Sequence, residues 1–296
     1  MSDNFWKKSY TPVRFPKAPF TISPESKLMF FGSCFAEELA TRYKSLDLPN
    51  SLSPFGTIYN PLSLAHCFDS LLNKKLSLEP FLQNGKWRHF DFHSSRSCSG
   101  DLSLDEAVKH YGDLIDEGHK ELLSTDYIII TLGTAWAYRL RENKRVVNNC
   151  HRCDISVFER DNFQKWEEKL AQPKLEESLK FLKEINPSVQ IILTVSPVRH
   201  LRNDARENSY SKAILRCLCE ELSGNYDWME YFPSYEIVMD ELRDYRWYGE
   251  DLSHLSPRAV DYIMERFYKW AGGLELESFI DRRNKEIKRL NHRPLN

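Results

Sequence analysis

The sequence predicts an α/β protein with a doubly wound, mainly parallel sheet between two layers of helices. Three short apolar runs, at residues 27–31, 126–132 and 189–195, each end at a turn containing glycine, serine or proline. Helical patterns separate these runs, and strands that alternate with helices are typical of this fold class. The two later runs are apolar on both faces and rich in β-branched residues, as expected of central parallel strands.

The chain begins with a segment, residues 1–26, that is rich in proline and lysine and has no hydrophobic period. We expect it to form an extended arm that packs on the body of the protein. The first strand follows and ends at Gly32-Ser33. Apolar residues at Phe35, Leu39 and Tyr43 then recur at helical spacing, which predicts a strand, a tight turn and a helix.

Two longer helices precede the second and third predicted strands. Their patterns run from Leu104 to Leu123 and from Phe163 to Ile185, and Asn186-Pro187 is a stop signal after the latter. Residues 27–272 are therefore predicted to form one domain. The tail, residues 273–296, has alternating charges and a thin apolar stripe, so we expect a surface helix packed on that domain.

Two small β-hairpin insertions are predicted at about residues 81–97 and 136–151. The first is rich in aromatic residues and contains Asn84-Gly85, a dipeptide typical of hairpin turns. The second has a polar tip at residues 142–144. Both would project from strand ends, where sheets of this kind bind ligands.

Composition excludes several functional classes. The formal net charge of -2 provides no basic field for nucleic acid. No apolar run follows the first lysines and none approaches the roughly 20 residues of a membrane helix, so we expect a cytoplasmic protein that does not bind membranes. The seven cysteines fit reduced thiols, and the pair Cys150 and Cys153 has no second CxxC pair to complete a metal site. We expect no metal and no cofactor.

Ser33 is a candidate nucleophile. It follows a buried strand and starts a helix, a position where free backbone N–H groups and the helix dipole favour developing negative charge. The same position suits a serine that only caps the helix. Ser33 alone therefore leaves both interpretations open.

Asp251 and His254 are candidates for the other members of a catalytic triad. They lie three residues apart before an apolar helix, so Asp251 could orient one ring nitrogen while the other faces a nucleophile from a distant strand. The alternative is that Asp251 or Ser253 caps the following helix and His254 lies on the surface. The order and the structural context of the serine and of this pair suit a hydrolase on this fold.

These residues lie within motifs that resemble one protein family. The pentapeptide at 32–36, Gly-Ser-Cys-Phe-Ala, resembles the signature of the GSCFA family, a branch of the SGNH (GDSL-like) hydrolases. Further segments of the chain that are similar to that family are 54–61, 132–136, 149–151, 194–200, 211–213 and 242–248. The resemblance covers nearly the whole chain and implies an SGNH-like, flavodoxin-like three-layer fold.

The resemblance also implies roles for individual residues. Ser33 takes the place of the nucleophile, Asp251 and His254 that of the acid–base pair, and the N–H groups of Ser33 and Gly56 would bind the oxyanion. SGNH enzymes usually carry Gly-x-Asn-Asp after the third strand, whereas this chain has no asparagine at 133–136. Thr134 or Asn60 would then supply the third oxyanion donor.

Three further residues are candidates for substrate binding. His200 lies at the end of the third apolar run, and Asn149 and His151 lie on the second insertion. Loops at these places face the substrate in sheets of this class. A histidine that only bonds to the backbone of its own loop explains the positions of His200 and His151 equally well.

The sequence thus predicts a serine esterase that removes a small acyl group, such as acetyl, from a carbohydrate or a similar hydroxyl compound through an acyl-enzyme. The same triad could transfer the acyl group to an acceptor hydroxyl. The missing asparagine favours a third possibility, a carbohydrate- or protein-binding module without turnover. The choice of an acyl ester as substrate rests on the fold alone.

Overall fold

Five parallel strands form the central sheet in the computed structural model, which describes residues 11–83, 86–91, 93–95, 103–148, 155–165, 171–200 and 204–291. The strands are β1 (Leu28–Gly32), β2 (Asn50–Leu52), β5 (Tyr127–Leu132), β9 (Gln190–Val195) and β10 (Met229–Tyr231). Their spatial order, β2-β1-β5-β9-β10, is the flavodoxin-like order of a doubly wound sheet. The predicted fold class is confirmed.

Helices cover both faces of this sheet. They are α1 (Cys34–Ser45), α2 (Pro61–Leu72), α3 (Leu104–Ser124), α4 (Ala171–Ile185), α5 (Ala205–Asn225), α6 (Ser234–Glu236, continuing as a π-helix over Ile237–Leu242), α7 (Pro257–Ala271) and α8 (Leu274–Asn291). Among the described residues no helix is long and apolar enough to cross a membrane.

The alternation of side chains along the strands explains the three layers. In β1, Met29 and Phe31 face a core shared with α2, α3, α4 and α5, whereas Leu28 and Phe30 face a core shared with α1, α7 and α8. Because both faces are covered, every residue of β1 and β5 is buried. The carboxyl ends of β1, β5 and β9 therefore meet at one edge, where loops can carry functional groups.

The first 26 residues, as far as they are described, lie along the body of the protein. The backbone N–H groups of Ala18 and Ile22 donate to the carbonyl oxygens of Trp270 and Ala271 at 3.1 and 2.8 Å. Phe20 packs on the rings of Tyr127 and Trp270. The segment is thus extended and attached to the end of α7.

Both predicted insertions contain antiparallel strands. The first consists of β3 (Glu79–Gln83) and β4 (Lys86–Phe90). The second contains β6 (Trp136–Leu140), β7 (Val146–Val147) and β8 (Phe158–Asn162), in the order β7-β6-β8. The helical pattern predicted from Phe163 to Ile185 is described in two pieces, a 3-10 turn over Phe163–Lys165 and the helix α4, and residues 166–170 between them lie outside the described residues.

Candidate active site

Ser33 stands at the carboxyl end of β1, where the chain enters α1. Ser33 is the N-cap residue of α1, but its hydroxyl makes no capping bond to the helix. Ser33 Oγ instead lies 3.0 Å from Thr131 Oγ1 on β5. The Ser33 N–H donates to the carbonyl and hydroxyl oxygens of Thr131, each at 3.0 Å. Ser33 is 0% exposed, so this candidate nucleophile is shielded from bulk water in this conformation.

Gly32 allows this close approach of β1 to β5. Its φ of +122° lies in a region that L side chains rarely adopt. A methyl group built on Gly32 would lie 2.1 Å from the carbonyl oxygen of Thr131, well inside van der Waals contact. A glycine before Ser33 is therefore required by both backbone conformation and space.

We expect Gly32→Ala to lower the free energy of unfolding by at least about 3 kcal/mol, because the backbone strain and the overlap with Thr131 add. Urea unfolding followed by circular dichroism measures the change. Gly112→Ala is the matched control. Its added methyl would meet nothing within 4 Å in the interior of α3, so it should stabilise by about 0.5–1 kcal/mol. A Gly32→Ala protein as stable as wild type would contradict the close packing of β1 on β5.

Asp251 and His254 form a hydrogen-bonded pair in the loop before α7. Asp251 Oδ2 lies 2.5 Å from His254 Nδ1, and Oδ1 accepts the backbone N–H groups of Ser253 and His254, each at 3.0 Å. The His254 hydrogen bond and these two N–H groups lower the pKa of Asp251 to about 2. The N-cap of α7 is Ser256, so neither Asp251 nor Ser253 caps that helix. The side chain of His254 is 58% exposed, which agrees with the other part of that alternative, a histidine at the surface.

This loop is attached to the same sheet edge as Ser33. The N–H of Arg199, just past β9, donates to the carbonyl oxygen of Ser253 at 3.0 Å. The pair is therefore held at the carboxyl end of β9, although among the described residues no hydrogen bond joins His254 to Ser33. In unliganded hydrolases such bonds often form only when substrate binds.

His200 lies at the same sheet edge, in the segment that follows β9. Its ring packs edge-on against Tyr59 at 5.4 Å between centroids. Tyr59 in turn borders Gly133, which borders Ser33: a methyl built on Gly133 would lie 2.8 Å from the Tyr59 ring and 3.2 Å from Ser33 Cβ. Burial lowers the pKa of His200 to about 3, and the nearby Lys212 and Arg160 act in the same direction. His200 is therefore neutral near pH 7 and close to the candidate triad.

The predicted oxyanion donors are all bonded within the protein. The N–H groups of Gly56 and Thr134 donate to the carbonyl oxygens of Ser53 and Tyr59. The side chain of Asn60 caps α2, where its Oδ1 accepts the N–H of Ser63 at 2.8 Å, and its donor group Nδ2 donates to Ser63 Oγ at 3.1 Å. The N–H of Ser33 is bonded to Thr131 as described above. Binding an oxyanion would require exchanging one of these bonds, and the four roles stay predictions.

Asn149 and His151 lie outside the described residues. The neighbouring Asn148 is described and fully buried, and its Nδ2 donates to the carbonyl oxygen of Thr57 at 2.9 Å. Asn148 therefore joins the second insertion to the loop that follows β2, the loop that also carries Gly56. The contact of Asn149 and His151 with substrate stays a prediction.

Sequence reasoning missed Thr131 and Ser211. Ser211 Oγ accepts the N–H of Ala135 at 2.7 Å and lies 3.1 Å from Thr134 Oγ1. Ser211 lies in one of the segments that resemble the GSCFA family, so the sequence marked its position but indicated no role for its side chain. Thr131 had no such signal, because only strand pairing brings it to Ser33, 98 residues away in sequence.

One groove of the described structure lies away from these residues. It has a volume of about 580 Å³ and lies between α2, α4 and the second insertion. The stacked imidazoles of His66 and His93, with centroids 3.8 Å apart, line it. Among the described residues, no group of three histidine, cysteine or acidic side chains is arranged to hold a metal ion.

Comparisons with known proteins give a family and distant structural similarities. A model of the GSCFA family matches residues 27–267, and no curated protein matches the sequence. A family 3 carbohydrate esterase from Clostridium thermocellum is 10% identical, with coverage of 83% of this chain and 94% of that chain and a TM-score of 0.37. An acetyl xylan esterase from Butyrivibrio proteoclasticus is 12% identical (89% and 64% coverage, TM-score 0.36).

The periplasmic domain of a lipopolysaccharide acetyltransferase from Salmonella ser. Paratyphi A is also similar, with 13% identity, coverage of 84% of each chain and a TM-score of 0.37. With TM-scores under 0.5, none of these structural similarities bears on the activity of this chain.

Proposed function

The chain belongs to the GSCFA family, and from that premise we propose that it is a serine hydrolase that forms an acyl-enzyme at Ser33. The observation that carries the proposal is the Asp251–His254 pair, held by three hydrogen bonds at the sheet edge where β1 presents Ser33. A carboxylate that orients an imidazole near a serine at a strand-to-helix turn is the arrangement that nucleophilic acyl transfer needs.

The proposed reaction has two steps. His254 Nε2 takes the proton of Ser33 as Oγ attacks the acyl carbon, and the protonated imidazole then gives that proton to the departing alcohol. Asp251 keeps the proton on Nδ1, so that Nε2 is free to accept. Water repeats the sequence on the acyl-enzyme and releases the acid. The side chains present carry this chemistry without a cofactor.

The substrate we propose is a small acyl ester, in the first place an O-acetyl group on a carbohydrate. Ser33 is fully buried, so a compact acyl group suits its surroundings better than a long chain.

Acyl transfer to an acceptor hydroxyl is the second candidate function. The 0% exposure of Ser33 favours it, because an acyl-enzyme that is shielded from water can await an acceptor. Product formation that requires an added acceptor sugar would separate transfer from hydrolysis.

A fluorophosphonate probe and acetylated xylo-oligosaccharides test the proposal. We expect the wild-type protein to gain one phosphonyl group by intact mass, mapped to Ser33 by peptide sequencing, and to release acetate. p-Nitrophenyl acetate serves as a simpler reporter of turnover. A protein that gains no label and releases no acetate from any of these esters would overturn the hydrolase proposal in favour of a binding module on this fold.

A further inference from the structure

One face of α5 is polar and points at the sheet edge that carries the candidate site. Asn208, Ser211 and Lys212 have the i, i+3, i+4 spacing of a helix face. Asn208 Oδ1 accepts the N–H of His200 at 3.0 Å, and Ser211 bonds to the 134–135 segment. This face therefore contacts the chain just after β5 and just after β9.

Lys212 makes the strongest of these contacts. Its ammonium donates to the carbonyl oxygen of Gly133 at 2.6 Å and to that of Ser196 at 2.7 Å. These two residues directly follow β5 and β9, which are neighbours in the sheet. A single side chain thus ties together two strand ends.

The position of Lys212 is unusual for a lysine. It is 2% exposed, and among the described residues no carboxylate lies within ion-pair distance of its ammonium. Burying an ammonium without an opposite charge is costly, because two carbonyl dipoles replace its hydration only in part. Burial lowers the pKa of Lys212 to about 7, with Cys34 opposing the shift and Arg199 adding to it. A group kept at such a cost points to a functional constraint.

The Gly133 peptide that Lys212 holds lies beside Ser33. A methyl on Gly133 would lie 3.2 Å from Ser33 Cβ, and the N–H of Gly133 donates to Tyr59 at 3.0 Å. In its protonated form the Lys212 side chain also places a positive charge on these two carbonyl groups near Ser33, and a positive charge there favours an oxyanion. Lys212 therefore influences both the place and the electrostatics of the reacting serine.

We propose that Lys212 is a positioning residue of the serine site, whose buried ammonium holds the Gly133 and Ser196 carbonyl groups and so keeps the 133–135 segment in register with Ser33. This inference rests on the proposed function, in that the reaction served is acyl transfer at Ser33. Lys212 itself does not touch the reacting atoms in this role.

The test compares Lys212→Met with Lys183→Met. Lys183 makes a similar ammonium–carbonyl hydrogen bond, to Val189 at 2.8 Å, but at the amino end of β9. We expect Lys212→Met to lower kcat for p-nitrophenyl acetate about 10²-fold with KM within threefold, because misplacement near 1 Å has that effect. Amide exchange of residues 132–136, followed by mass spectrometry, should accelerate at least about tenfold. Lys183→Met should change neither quantity more than twofold.

Lys212→Gln is a second variant for the case that Lys212→Met does not fold, because glutamine keeps two N–H donors without the charge. It should change kcat and amide exchange in the same direction as Lys212→Met, but less. Unchanged exchange of residues 132–136 in a folded Lys212→Met protein would overturn the inference whatever its activity. If Lys212→Met exchanged faster at residues 132–136 but had the same kcat as Lys183→Met, the link between Lys212 and catalysis would be overturned. A wild-type protein without turnover would overturn the proposed function and that link, while the exchange result would still decide whether Lys212 holds the segment.

Discussion

Ser33→Ala is expected to lower kcat for p-nitrophenyl acetate by at least about 10³-fold and to abolish fluorophosphonate labelling. The variant removes the only atom that forms the acyl bond in the proposed reaction, and what remains is binding and electrostatic stabilisation. Intact mass reports the label, and absorbance reports turnover. KM should change little, because the hydroxyl contributes mainly after substrate has bound.

Ser70→Ala is the matched control for this variant. Ser70 is also a fully buried serine, and its hydroxyl lies 3.3 Å from His66 Nε2 on α2, away from the candidate triad. Each variant loses one buried hydroxyl and about 1 kcal/mol of stability. A Ser33→Ala protein that keeps its label and its turnover would move the nucleophile to another residue and end the proposed mechanism.

The parts of the fold that could be predicted are those with a local signal. β5 and β9 are runs of apolar, β-branched residues of strand length, each bounded by turn residues, and their prediction is confirmed. β10 is three residues, Met229–Tyr231, and becomes a strand only because β9 offers it a partner. The sequence of β8 is polar and shows no strand pattern, because this segment becomes a strand only by pairing with β6.

The residues of the candidate site likewise differ in whether a local sequence pattern predicts them. Ser33, Asp251 and His254 lie in short motifs, and the close Asp251–His254 pair follows from their spacing of three residues. Thr131 comes to Ser33 through strand pairing, which no local pattern encodes. Lys212 lies in the family-like segment 211–213 without a predicted role. A lysine is ordinarily expected at the surface, and only the structure reveals the two carbonyl partners of its buried ammonium.

Asp251→Asn is expected to lower kcat about 10²- to 10⁴-fold with little change in KM. The asparagine oxygen can still accept the two backbone N–H groups that Asp251 Oδ1 accepts, so the loop should keep its shape. Its amide nitrogen, in place of Oδ2, would donate to His254 Nδ1 and drive the ring proton to Nε2. An imidazole in that tautomer cannot accept the proton of Ser33.

The pH dependence separates this effect from a simple loss of charge. Because the pKa of Asp251 is about 2, its carboxylate stays ionised throughout the range where esterases are assayed, and the stabilisation it gives is lost only as pH falls towards 2. The deficit of Asp251→Asn should therefore persist from pH 5 to pH 9. Asp240→Asn is the matched control, since it removes an exposed carboxylate that pairs with Arg243 at the same i, i+3 spacing, and it should leave kcat within twofold. If Asp251→Asn also kept kcat within twofold of wild type, Asp251 would not be needed to orient His254, and the proposed role of the pair in catalysis would be overturned.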